Sequence, residues 1–170
     1  MESRAKFLGH PLHQILIVFP LGLLVTAVAF DGVYYFGGRN PRWADISYWM
    51  IVAGLIGGVV AAVPGWVDWF AIPAGTRAKA IGLWHALGNV FGVLGLYGAS
   101  WWFRREAPTA PPDLALLLSA GGLLVGGVTA WLGGELVDRL GIGVDPGAHP
   151  DAPNSLSGRP ASENTRRHAP

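Results

Sequence analysis

The chain has 170 residues, of which 51% are apolar and only 14% charged, with a net charge of +1 and no cysteine. A water-soluble domain carries about 25% charged residues, so this chain lacks the charge to coat an aqueous surface. Without cysteine it has no disulfide, no thiolate zinc site and no all-cysteine iron–sulfur cluster.

Four stretches contain no Asp, Glu, Lys or Arg: residues 7–30, 46–67, 80–103 and 114–134, of 24, 22, 24 and 21 residues. A helix needs about 20 apolar residues to cross a hydrocarbon core of about 30 Å, and only a helix or a closed barrel satisfies its own backbone there. Each stretch is therefore predicted to be a membrane-spanning helix, over about 11–36, 45–70, 79–104 and 113–139. A buried helical core in a soluble protein would need amphipathic partners, and the sequence supplies none.

At the N-terminus, Arg4 and Lys6 precede an apolar run ending in Ala27-Val28-Ala29, which resembles a signal-peptide cleavage site. The run is long for a signal peptide and Pro20 interrupts its middle, so it is read as the first span. Short connections follow at Gly37–Arg42, Ile72–Arg77 and Arg104–Asp113, where Pro41 and Asp113 suit helix starts. Short links between neighbouring spans imply antiparallel packing. The expected fold is an all-α, up-down-up-down bundle over residues 8–140, with a disordered tail over 141–170 rich in Pro, Gly and Ser. His149 and His168 fall in that tail and are expected to be solvated.

Tryptophans 43, 49, 66, 69, 101 and 102 collect near span ends, where an indole gains most at a bilayer interface. Glycines 54, 57, 58, 88, 92, 95, 121, 122, 126 and 127 lie inside the spans, where small residues let helices approach in lipid. The N-terminal face carries Arg4, Lys6, Arg77, Lys79 and Arg139, and the other face Arg39, Arg42, Arg104 and Arg105. The positive-inside tendency thus places both termini in the cytoplasm. On the far face Asp31 and Asp45 flank Arg39 and Arg42, and a loop ion pair is expected there. A faint repeat relates His13-Val18-Phe19 to His85-Val90-Phe91, 72 residues later, and Gly57-Gly58-Val59 to Gly126-Gly127-Val128, 69 later.

The up-down order brings His10, His13, Asp68, His85, Glu135 and Asp138 to the N-terminal face. His10 and His13 are three apart, with Pro11 suited to a first helical turn. Ionisable groups at membrane depth cost about 2.5–3.5 kcal/mol near the bilayer centre, so these groups are expected to point inward. Four readings stay open. The cluster can be a polar clamp that only fixes packing. His13 and His85 can ligate haem b axially, with His10 nearby and Arg77 and Lys79 near the propionates. His13, His85, Asp68 and Glu135 can hold a divalent metal. A proton or ion conduit is disfavoured by the apolar middles of the spans. No nucleophile with a base at a recognisable spacing, no phosphate-binding loop and no nucleic-acid patch is visible.

The motifs Gly9-His10-Pro11-Leu12-His13, Phe19-Pro20-Leu21-Gly22 with Asp31, Pro64-Gly65-Trp66-Val67-Asp68, His85 with Asn89, Trp131–Val137 and Gly141-Ile142-Gly143-Val144 occur in that order. Residues 8–145 resemble the bacterial membrane proteins grouped as domain of unknown function 2231. The resemblance implies a four-helix inner-membrane protein without an established activity. Some relatives are fused to Rieske-type iron–sulfur domains, which suggests membrane electron transfer. This chain departs from the pattern at Leu140, where relatives often carry His before Gly-x-Gly-Val; if that His is a ligand elsewhere, this protein either lacks the site or uses only the earlier histidines. The expected partners are the bilayer, a redox protein such as a Rieske-type protein, and a second copy of the chain.

Overall fold

The charge-free stretches fold as four helices in the computed structural model, which describes residues 1–164. They are α1 (Leu12–Phe36), α2 (Pro41–Ala71), α3 (Arg77–Arg104) and α4 (Asp113–Arg139), each long and apolar enough to cross a membrane. A two-stranded antiparallel hairpin, β1 (Lys6–Phe7) and β2 (His10–Pro11), precedes α1. Local chemistry sets the helix starts. The Asn40 side chain accepts from Arg42 N at 3.1 Å with Pro41 in the first turn, so α2 begins at residue 41 rather than 45. Thr76 caps Lys79 N at 3.2 Å and opens α3.

The helices form a ring in which α1 and α3 each pack on both α2 and α4, leaving α1 facing α3 across the bundle axis. Glycines set how closely they approach. A Cβ on Gly54 would lie 2.6 Å from Leu24, and one on Gly122 2.7 Å from the Tyr97 ring. The outer surface is apolar: Phe19, Ile56, Val63, Phe91, Leu117 and Leu124 are all more than half exposed. Water offers no reason for such a surface and acyl chains do. The protein is an all-α, multi-pass membrane protein.

The second repeat register is 68, not 69. Gly54, Gly58, Ala61 and Gly65 of α2 recur as Gly122, Gly126, Thr129 and Gly133 of α4, each 68 residues on. Gly54 meets Leu24 and Gly122 meets Tyr97 and Leu96, and Gly65 meets His13 where Gly133 meets His85; Leu96 and His85 lie 72 residues after Leu24 and His13. The two helical hairpins therefore repeat one another.

At the end of the bundle away from the N-terminus, Asp31 and Arg104 are buried together. The guanidinium donates to both Asp31 carboxylate oxygens at 2.7 Å, to Ser47 and Ser119 at 3.2 Å, to Ser100 at 3.0 Å and to the Ala115 carbonyl at 3.3 Å. The loop ion pair expected from sequence is thus corrected. Asp31 takes Arg104, because both lie on inward helix faces, while Arg39 reaches Asp113 at 2.7 Å on the surface.

The described part of the C-terminal stretch, 141–164, has no helix or strand beyond one 3-10 turn at Ser155–Ser157. It crosses the N-terminal end of the bundle. Gly143 N donates to Met1 O at 2.9 Å, Lys6 pairs with Asp145, and Ser155 Oγ donates to Leu8 O at 3.3 Å. Hydrogen bonds that Lys6 donates to Asp145 and then Glu2 hold its pKa above the ordinary value. His149 Nδ1 accepts from Asp151 N at 3.2 Å, and His168 lies outside the described residues.

Two outcomes follow. Arg104→Met leaves a buried carboxylate without its partner and is expected to lower stability by about 3–5 kcal/mol, whereas Asp31→Leu with Arg104→Met recovers most of it. Thermal unfolding in detergent, followed by circular dichroism, separates this from a double variant no better than the single one. Gly122→Ala is expected to destabilise, since the Tyr97 ring is anchored by its hydroxyl on Leu24 O at 3.0 Å and cannot yield. Gly98→Ala, with nothing within 4 Å, is expected to be tolerated in the same assay.

Candidate functional site

His13 stands in the first turn of α1 and His85 just over two turns into α3, on the helices that face each other across the axis. Their ring centroids are 6.1 Å apart and their planes are inclined at 85°. The two are held alike. His13 Nδ1 lies 2.8 Å from Ala61 O of α2, and His85 Nδ1 lies 2.8 Å from Thr129 O of α4. A carbonyl accepts only, so Nδ1 carries the proton in both rings and Nε2 carries the lone pair. Gly65 and Gly133 make room: a Cβ there would lie 2.9 Å from the His13 ring and 3.2 Å from the His85 ring.

Beside His13 the helix is continuous, with Ile17 N donating to His13 O at 3.0 Å and Leu21 N to Ile17 O at 3.1 Å. Beside His85 it is not. In α3 a π-helical segment, Gly88–Leu94, follows His85 within a turn, and π segments are frequent at functional sites. Asn89 heads that segment. Its amide nitrogen donates to His85 O at 2.8 Å and lies 3.3 Å from His85 Nε2, while its oxygen accepts from Thr129 Oγ1 at 3.1 Å.

Between the four helices lies a cavity of about 580 Å³, within the range of roughly 300–1,000 Å³ typical of cofactor sites. It reaches from Pro11, Ile142 and Gly143 at the N-terminal end down to Leu24, Tyr97 and Gly122. Both histidines and Asn89 line it, otherwise mostly apolar side chains and the glycines at 58, 65, 126, 127, 133 and 134. With ring centroids 6.1 Å apart, the two imidazoles are close enough for both to reach one ion. The spacing suits one metal centre between the rings, and glycine in place of side chains leaves width for a flat macrocycle. On these observations the residues present fit haem.

The other expected site residues go elsewhere. His10 is not on the first helix: Leu8 (φ 50) and Gly9 (φ 84) turn the chain into the hairpin, so His10 is exposed on β2, 3.4 Å from Ser155 Oγ. Asp68 lines the cavity but binds the N-terminal segment, accepting from Ser3 Oγ at 2.7 Å and Arg4 N at 2.7 Å. Glu135 takes Arg77 at 2.7 Å, so that guanidinium is engaged with the protein. Lys79 sits 3.8 Å over the Trp69 ring and donates to Trp69 O at 2.7 Å. Asp138 is exposed. Among the described residues no three His, Cys, Asp or Glu side chains are grouped to hold a metal ion, so the set His13, His85, Asp68 and Glu135 is not brought together. Leu140 packs on the apolar cluster of Ile72, Ala78 and Leu136.

Thr129 was not singled out from the sequence, and Asn89 entered only as a motif residue beside His85. The signal was available, since they are among the few polar residues in the middle of their spans. In the sequence Arg104 reads as a loop charge because the residue directly follows the charge-free stretch. No curated protein and no solved structure matches the chain. The family described as predicted membrane protein (DUF2231) matches residues 9–146, which hold the four helices, both histidines and the Gly141–Val144 segment that closes the cavity. The chain belongs to the DUF2231 family of membrane proteins.

Proposed function

We propose that this protein binds haem b between His13 and His85 and serves as a small electron-transfer subunit of the bacterial inner membrane. The observation that carries the reading is the pair of imidazoles on facing helices, each fixed through Nδ1 by a backbone carbonyl and lining one apolar cavity through the rest of the ring. Haem when bound supplies a one-electron couple. The chain does the remainder. The carbonyl bonds fix tautomer and ring orientation and raise the basicity of Nε2, as hydrogen bonds to ligating imidazoles do. The apolar lining excludes water and lowers the local dielectric, which are the levers by which a protein tunes a redox potential.

A polar clamp explains the Nδ1 bonds, since each ties one helix to its neighbour. It does not explain why two repeated histidines share a cavity of about 580 Å³ when interiors otherwise close to high density. A divalent metal would need a third protein ligand, and Asp68 and Glu135 are committed to Ser3 and Arg77. The basic residues Arg4, Lys6, Arg77, Lys79 and Arg139 support a cytoplasmic N-terminal face. A Rieske-type protein is the class of redox partner that the family resemblance suggests.

Hemin added to the detergent-purified protein is expected to give a sharp Soret band of a six-coordinate, low-spin centre. His13→Ala and His85→Ala each should lose the six-coordinate spectrum and weaken binding at least tenfold, and the double variant should bind none, while circular dichroism stays unchanged. A folded wild-type protein that takes up no hemin would reject the reading.

A further inference from the structure

The two hairpins repeat one another around the imidazoles except at one place. Residue 89 in α3 corresponds to residue 17 in α1 by the 72-residue register of the histidines, and Thr129 corresponds to Ala61 by the 68-residue register of α2 and α4. The first half thus puts Ile17 and Ala61 beside its histidine, where the second puts Asn89 and Thr129. The consequence is chemical. The Asn89 nitrogen donates to His85 O at 2.8 Å, which turns the amide so that this nitrogen lies 3.3 Å from Nε2, while its oxygen faces Thr129 Oγ1 at 3.1 Å, a hydroxyl shared with Gly126 O. With Nδ1 donating to Thr129 O, the His85 Nε2 lone pair accepts from Asn89. Ile17 cannot donate, and among the described residues no protein group donates to His13 Nε2.

We infer that Asn89 is a positioning residue that makes the two sides of the site unequal: His13 is the resident ligand and His85 the exchangeable one, so that the His85 side is where a small neutral ligand such as carbon monoxide or free imidazole enters. The inference rests on the haem reading for its consequence but not for its cause, which is a hydrogen bond in the chain itself. A metal on His85 Nε2 has to displace Asn89. On His13 Nε2 it displaces nothing.

The test has an arm that needs no haem. Diethyl pyrocarbonate acylates a neutral imidazole at the nitrogen bearing the lone pair, here Nε2, and mass spectrometry gives the rate at each histidine in the hemin-free protein. In Asn89→Leu, which keeps the side-chain volume, modification of His85 is expected to rise roughly three- to tenfold, the factor that one hydrogen bond of ordinary strength gives. His13 serves as the internal reference and its rate is expected to stay unchanged. An unchanged ratio of His85 to His13 in Asn89→Leu overturns the inference, even if that variant unfolds at a lower temperature, because a merely structural Asn89 would change stability alone. In the hemin-loaded protein reduced with dithionite, Asn89→Leu is expected to bind carbon monoxide severalfold more weakly than wild type, and in the ferric protein His13→Ala is expected to weaken hemin binding more than His85→Ala. Equal losses in those two variants overturn it as well. If wild type takes up no hemin, the proposed function falls, and the acylation rates still decide whether Asn89 sets the two imidazoles apart.

Discussion

In hydrocarbon a polar group that finds no partner inside the protein finds none at all, and each such failure costs several kcal/mol. That constraint organises this molecule more than any apolar contact does. Helices in lipid gain nothing by hiding leucine from leucine-like solvent; what can specify one arrangement of four apolar rods is where their few polar groups meet. Two meeting points exist, one near each end. At one, Arg104 and Asp31 are surrounded by Ser47, Ser100 and Ser119, so that every helix contributes at least one side chain. At the other, His13 and His85 each reach a carbonyl of the adjacent helix.

The two ends solve the problem differently, and the difference separates structure from function. The guanidinium is saturated by neighbours in fixed positions, and no side of it faces a cavity. It has the character of a lock. The His13 imidazole is engaged on Nδ1 alone and His85 on Nδ1 with Asn89 beside its Nε2, and both rings line a cavity that runs down the bundle axis to Tyr97. Tyr97 itself spans the axis by donating to Leu24 O at 3.0 Å, which closes the cavity short of the buried ion pair.

Duplication explains how so small a chain brings two imidazoles together on one cavity. A single hairpin supplies one histidine, one carbonyl to orient it and one glycine to admit it. Two hairpins put two imidazoles on opposite sides of a common axis. Asn89 and Thr129 are then a departure from the repeat, and a chemical bias placed on one side of it.

The sequence by itself determined the membrane, the four spans and the antiparallel order, because those depend on run lengths of apolar residues and short connections, which are local quantities. It also determined that His13 and His85 lie on one side of the bilayer, since alternate spans start there. Only the tertiary structure decided which polar groups pair. Asp31 passed over the nearby Arg39 and Arg42 for Arg104, 73 residues away, because helix rotation turns both inward. His10 left the site because two residues at positive φ, Leu8 and Gly9, make a hairpin where a helical turn was expected. Asp68 and Glu135 were drawn off to Ser3 and Arg77, partners supplied by segments that fold across the end of the bundle. Rotation about a helix axis and the path of a cap are settled by packing between elements, and no spacing within one element records them.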